Sequence, residues 1–147
     1  MTAPPTATST ATALDAFATR AVRSAATREI SLTTASTLAT LVRRGPLRLS
    51  DLAVREGVAQ PSMTALVSRL ERGGLAERTP DPSDGRAVMV AVTDAGRDAV
   101  ATRRERRAGV LAALLERADP ADRSLIEAAA PALARLVSVL DDDQENE

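Results

Sequence analysis

The sequence predicts a mainly α-helical protein with a small β-hairpin wing, that is, a winged helix-turn-helix flanked by helices at both ends. Alanine is abundant, and aliphatic residues recur at helical spacing on either side of a central segment. Within that segment a short helix is predicted at 50–56 and a second helix at 60–72. Two strand-like segments, 75–79 and 87–92, then flank a turn rich in Pro, Asp and Gly.

Three elements are predicted ahead of this segment. Apolar residues at helical spacing predict a first helix at about 14–28. A second helix is expected at about 33–44, because Gly45-Pro46 is a stop signal. Residues 47–49 alternate in polarity and can form a short strand that pairs with the wing.

Two capping signals mark the helices that follow the wing. Thr93-Asp94 begins a long helix that is expected to reach Arg117, because Thr is a good N-cap and Asp suits the positive end of the helix dipole. Asp119-Pro120 begins the last helix, since Pro is favoured at the first helical position. The predicted core residues are Leu38, Leu41, Val42, Leu52, Ala53, Val58, Met63, Leu66, Val67 and Leu70.

The composition limits the chemistry available to the chain. Its 147 residues include no Cys, His, Trp or Tyr, and Phe17 is the only aromatic residue. Thiol redox sensing, disulfides and metal sites built from Cys and His are therefore excluded, and we expect no cofactor. Few groups remain for acid–base or nucleophilic catalysis, so we do not expect an enzyme.

The charge is distributed unevenly. The formal net charge is −1, and all 19 basic residues are Arg. Residues 141–147 hold five acids and no base, so removing them changes the net charge from −1 to +4. No apolar run could span a membrane, and residues 1–13 do not resemble a secretory signal. We therefore expect a cytoplasmic protein without a membrane partner.

The predicted organisation has one folded domain. Residues 1–12 are polar and of low complexity, which predicts a disordered tail. The domain is expected to span 13–140, and residues 141–147 form an acidic tail. Within the domain, the winged helix-turn-helix is expected at about 32–97, between dimerisation helices at about 14–28 and 98–140. The apolar stripes from Leu14 to Ala25 and from Leu125 to Leu140 exceed what a monomer would cover, so a two-fold homodimer is expected.

One face of the helix at 60–72 is the first candidate functional surface. It carries small and hydroxylated side chains, which would let the helix lie deep in a groove of double-stranded DNA. The candidate contacts are Gln60, Pro61, Ser62, Thr64, Ala65, Ser68 and Arg69. A solvated helix face would look similar, and Arg69 could equally pair with Glu56 or Asp51.

The wing is the second candidate surface. Arg86 lies beside a turn glycine and has no local core role, so it is free to enter a narrow minor groove. Asp84 is either its orienting partner or an ordinary turn residue. Arg78, on the first wing strand, is a further candidate for a phosphate contact.

The wing residues resemble the MarR (multiple antibiotic resistance regulator) family. Residues 81–87 read Asp-Pro-Ser-Asp-Gly-Arg-Ala, and 92–97 read Val-Thr-Asp-Ala-Gly-Arg. They are similar to the family wing Asp-Pro-x-Asp-Arg-Arg and its closing Leu-Thr-x-x-Gly-Arg, except that Gly85 replaces the first of two arginines. The resemblance implies a homodimeric transcriptional repressor that binds a short inverted-repeat operator. It also implies a small-molecule effector, and the residues that would bind this effector are unknown.

One alternative function remains open at this point. A winged helix can serve as a protein-interaction module without binding DNA, and the low net charge favours that interpretation. The small polar helix face and Arg86 favour DNA.

Overall fold

The computed structural model describes residues 6–24, 31–82, 84 and 87–145, with side chains for 6–21, 31–82, 84 and 87–140. Six helices and three strands form in this part of the chain. They are α1 (Ala7–Ser24), α2 (Leu32–Arg44), β1 (Leu47–Arg48), α3 (Leu49–Arg55), α4 (Gln60–Arg72), β2 (Ala76–Pro80), β3 (Val88–Val92), α5 (Asp94–Glu116) and α6 (Pro120–Glu145). The predicted fold class, mainly α-helical with a hairpin wing, is confirmed.

The three strands form one antiparallel sheet in the order β1-β3-β2. The hairpin β2–β3 is the wing, and β1 pairs with β3 so that Leu47 lies opposite Val90. The predicted pairing of residues 47–49 with the wing is therefore confirmed for Leu47 and Arg48. Because β3 is central, its Val90 is completely buried.

One hydrophobic core joins the sheet to α2, α3 and α4. Its buried members are Leu38, Leu41, Leu52, Ala53, Met63, Leu66, Val67, Leu70, Ala76, Val90 and Val92. Every predicted core residue is in this cluster or, for Val42 and Val58, packed half-buried against it. The buried polar residues Thr37 and Thr40 of α2 were not predicted.

The chain divides into two compact units, Met1–Arg107 and Ala108–Glu147. The first unit contains the whole winged helix-turn-helix. In the second unit no described side chain from 108 to 140 is fully buried. The large apolar side chains exposed there are Val110, Leu114, Leu125, Ile126, Leu133, Leu136, Val137, Val139 and Leu140.

The first helix begins earlier than the sequence predicts. Helix α1 starts at Ala7, inside the segment 1–12 expected to be disordered. The reason is a reciprocal cap: the Ser9 amide donates to Thr6 Oγ1 at 3.2 Å, and the Thr6 amide donates to Ser9 Oγ at 2.9 Å. Along α1, Leu14 and Phe17 are 38% and 52% exposed.

The two predicted caps after the wing are confirmed. The Gly96 amide donates to Thr93 Oγ1 at 3.1 Å, and the Ala121 amide donates to Asp119 Oδ1 at 2.9 Å. These bonds satisfy amides that have no partner inside their own helices. The first turns of α5 and α6 are thus defined by local sequence.

Candidate nucleic-acid interface

Helix α4 is oriented by the core beneath it. Its bounds, Gln60–Arg72, are those the sequence predicts. Met63, Leu66, Val67 and Leu70 are all buried, so one side of the helix is fixed against α3 and the sheet. Gly57, with φ of +62°, makes the turn from α3, a conformation that suits glycine. The opposite side of α4 must therefore face outward.

The outward side of α4 carries the predicted contact residues. Exposed there are Gln60, Pro61, Ser62, Thr64, Ala65 and Arg69, while Ser68 is half-buried. These side chains are small apart from Gln60 and Arg69, so a groove could approach the helix backbone closely. Among the described side chains, no ion pair joins Arg69 to Glu56 or Asp51. The sequence left these two acids open as partners of Arg69, and neither of them binds it in the structure.

The two central hydroxyls of this face differ in their hydrogen bonds. Thr64 Oγ1 donates to the Gln60 carbonyl oxygen at 2.9 Å, which leaves its lone pairs as acceptors. Ser68 Oγ instead accepts from Arg78 Nη2 at 3.3 Å, which leaves its own proton to donate. A polar partner would therefore meet an acceptor at Thr64 and a donor at Ser68.

Arg78 has a structural partner. Its Nη1 is paired with Glu71 Oε2, near the end of α4, in addition to the bond to Ser68. The guanidinium therefore connects strand β2 to α4. The sequence suggested only a phosphate contact, because Glu71 lies on a helix and Arg78 lies on a strand beyond the Gly73-Gly74 turn, and periodicity does not relate residues on different elements.

The base of the wing is closed by backbone hydrogen bonds. The Asp81 amide donates to the Ala87 carbonyl at 3.0 Å, and the Ala87 amide donates to the Asp84 carbonyl at 2.8 Å. We call these three residues the wing neck. Asp84 is exposed. Arg86, the predicted minor-groove residue, lies outside the described residues.

An ion pair that sequence reasoning missed stands beside the wing neck. Arg48 Nε and Nη2 lie 2.8 Å and 2.7 Å from Asp81 Oδ2. Asp81 is buried, with 6% of its side chain exposed, whereas 44% of the Arg48 side chain is exposed. The hydrogen bond to Asp81, together with its negative charge, raises the pKa of Arg48. Asp81 has the appearance of a turn residue in the sequence, and nothing local indicates a partner 33 residues away.

These features together define a class of protein. A helix-turn-helix with an outward small-polar second helix, followed by an antiparallel hairpin, is the architecture of winged helix-turn-helix DNA-binding proteins. No helix among the described residues has the length and apolar character needed to cross a membrane.

Comparison with known proteins identifies the family within that class. The model of the MarR family matches residues 30–88. An HTH-type transcriptional regulator of Mycobacterium bovis is 36% identical over 108 residues, which cover 74% of this chain and 76% of that regulator. The chain belongs to the MarR family of transcriptional regulators, a family of DNA-binding regulators and not of enzymes.

Solved structures agree with this fold. A transcriptional regulator of Thermotoga maritima superimposes with a TM-score of 0.73 at 26% identity, covering 93% of this chain and 97% of that one. A mutant of MepR from Staphylococcus aureus, solved bound to an oligodeoxyribonucleotide, gives a TM-score of 0.66 at 19% identity. That comparison covers 88% of this chain and 96% of the MepR chain.

Proposed function

We propose that the protein is a homodimeric repressor that binds a short inverted-repeat operator and is released by a small ligand. In this proposal α4 enters the major groove, and the wing reaches the adjacent minor groove. The observation that carries it is the two-sided character of α4: one side is buried in the core, and the other presents small, exposed polar residues. The cytoplasmic location expected from the sequence follows if the target is the bacterial chromosome.

The homodimer is supported by apolar surface that the described chain leaves uncovered. Leu14 and Phe17 of α1 and several large side chains of α6 are exposed, including Leu125 at 70% and Leu140 at 59%. Exposed apolar surface of this extent is typical of an interface between subunits. A two-fold dimer would present two copies of α4, and for this reason we propose an inverted repeat as operator.

The mode of binding is supported by the MepR complex, since that protein shares the fold and was solved with an oligodeoxyribonucleotide. The small-ligand step rests on the family resemblance alone. A protein-interaction module remains the second candidate, because the net charge of −1 and the isoelectric point of about 5.6 do not favour binding to a polyanion.

The experiment is selection of DNA by the purified protein from a random pool, followed by footprinting of the selected sequence. We expect an inverted repeat with half-sites centred about 10–11 base pairs apart, or a multiple of that distance. Retention of no DNA, even at low salt, would support the interaction module. Protection of one asymmetric site per dimer would contradict the two-fold arrangement.

Two substitutions distinguish sequence-specific contacts with the DNA bases from electrostatic attraction to the DNA backbone. Thr64→Leu should weaken binding to the selected site by about 1–3 kcal/mol and leave binding to random DNA unchanged, because the base edges carry the sequence information. Thr102→Leu makes the same change on the exposed surface of α5 and is the matched control. Arg86→Ala should weaken binding to all sequences with a similar minor-groove width and lower the salt dependence of binding, with Arg104→Ala as its control. Wild-type binding by Arg86→Ala at two salt concentrations would show that this arginine is not a DNA contact.

A further inference from the structure

The ion pair between Arg48 and Asp81 spans the sheet. Arg48 lies on β1, Asp81 directly follows β2, and the central strand β3 runs between them. Arg48 pairs in register with Met89, which is the neighbour of Val88 in the last hairpin pair, Pro80–Val88. The guanidinium therefore reaches across the first residues of β3 from one edge of the sheet to the other.

Both partners occupy positions where the chain changes direction. Arg48 is the N-cap residue of α3, with extended backbone angles of φ −64° and ψ 147°, so its backbone begins the helix-turn-helix. Asp81 begins the wing neck, where its amide donates to Ala87. The ion pair thus connects the first residue before α3 with the first residue after β2.

The geometry favours a structural role over a direct contact with DNA. Nε and Nη2 of Arg48 both donate to the same carboxylate oxygen, which occupies one edge of the guanidinium. Asp81 is nearly buried and negatively charged, so it could not stabilise a phosphate. A buried carboxylate is costly unless it is paired, which holds the pair in one arrangement.

We propose that Arg48 and Asp81 are positioning residues that fix the direction of the wing relative to the helix-turn-helix, and that the pair increases DNA affinity through this geometry and not through charge. The inference rests on the proposed function, because the wing must reach DNA for its direction to influence affinity. For the DNA affinity of an Asp81 variant, this proposal and simple electrostatics predict changes of opposite sign. Removing the negative charge of Asp81 beside DNA should strengthen binding if charge dominates, and should weaken binding if position dominates.

The test compares isosteric substitutions on the selected operator. Asp81→Asn should weaken binding about fivefold to tenfold, although it makes the protein less negative. Glu77→Gln removes the same charge from an exposed position on β2, and we expect it to bind like wild type or slightly more tightly. Arg48→Lys retains the positive charge but lacks the two-donor edge, so it should also bind more weakly. Arg48→Ala should lose little further affinity in the Asp81→Asn background, since one interaction would already be absent.

A second readout does not involve DNA. Amide hydrogen exchange of the DNA-free protein should be faster at the backbone amides of positions 81 and 87 in both Arg48→Lys and Asp81→Asn, while the amides of α4 keep their wild-type rates. This arm also shows that the variants are folded. If wild type binds no DNA and the exchange changes occur, the proposed function fails and the positioning of the neck stands. Unchanged exchange at the neck overturns the inference, and so does tighter DNA binding by Asp81→Asn.

Discussion

Gly96→Ala should strongly destabilise the protein, because α5 begins in close contact with the turn that follows α4. A Cβ atom at position 96 would lie 2.7 Å from Val92 Cγ2 and closer still to the carbonyl oxygen of Leu75. That carbonyl also accepts the Thr93 amide at 3.2 Å, so it cannot move without loosening the cap of α5. The nearest obstacle is therefore backbone, which gives way less readily than a flexible side chain.

The magnitude follows from three contributions. Overpacking against rigid atoms costs about 3 kcal/mol, and a weakened Thr93 hydrogen bond costs about 1 kcal/mol more. The higher helix propensity of alanine than of glycine offsets about 1 kcal/mol of this loss. We expect the free energy of unfolding to fall by about 3 kcal/mol, which for a chain of this size lowers Tm by about 6–12 °C.

Urea denaturation followed by circular dichroism, at one fixed protein concentration, measures this change. Gly109→Ala is the matched control, because Gly109 is also in α5 and a Cβ atom there would have no neighbouring atom within 4 Å. The control should be neutral or up to about 1 kcal/mol more stable than wild type. Equal stability of Gly96→Ala and wild type would refute the reasoning about the Leu75 contact.

Three other outcomes are expected. Replacing Leu133 and Leu136 together with Glu should give monomers by light scattering, because these α6 side chains are 38% and 51% exposed and available to a second subunit; a wild-type monomer at micromolar concentration would contradict this. Glu56→Ala should lower the free energy of unfolding by about 1–3 kcal/mol, because the Thr40 hydroxyl, which donates to Glu56 Oε1 at 2.7 Å, would lose its acceptor. Glu105→Ala, at an exposed position, is the control, and equal denaturation midpoints of the two variants would contradict this expectation. DNA binding should be insensitive to thiol oxidants, because the chain contains no Cys; a loss that dithiothreitol reverses would contradict this.

The helix-turn-helix could be predicted closely from sequence because its signals are local. Apolar spacing identifies the buried side of α4, while Gly57 and the Gly73-Gly74 pair delimit it. The starts of α5 and α6 were equally predictable, since a capping side chain and the amide it binds are two or three residues apart. Elements of this kind depend little on the rest of the fold.

The side-chain pairs around the candidate interface could not be predicted in this way. Arg48 meets Asp81, and Arg78 meets Glu71, only because the sheet register and the packing of α4 bring them together. The buried Thr40 is a similar case, since its partner Glu56 is the residue that follows α3 and lies 16 positions further along the chain. Such pairs depend on tertiary geometry, which periodicity and composition do not encode.

The joint between α5 and the end of α4 has a mechanical consequence. Thr93 Oγ1 donates to the Gly74 carbonyl at 2.6 Å, and the Thr93 amide donates to the Leu75 carbonyl. The space at Gly96 is too small for a Cβ atom beside the Leu75 carbonyl, so the first turn of α5 packs closely against the residues that follow α4. We therefore expect a change in the direction of the first turn of α5 to be transmitted to the end of α4, and with it to the outward face of that helix, for as long as the two Thr93 hydrogen bonds are kept.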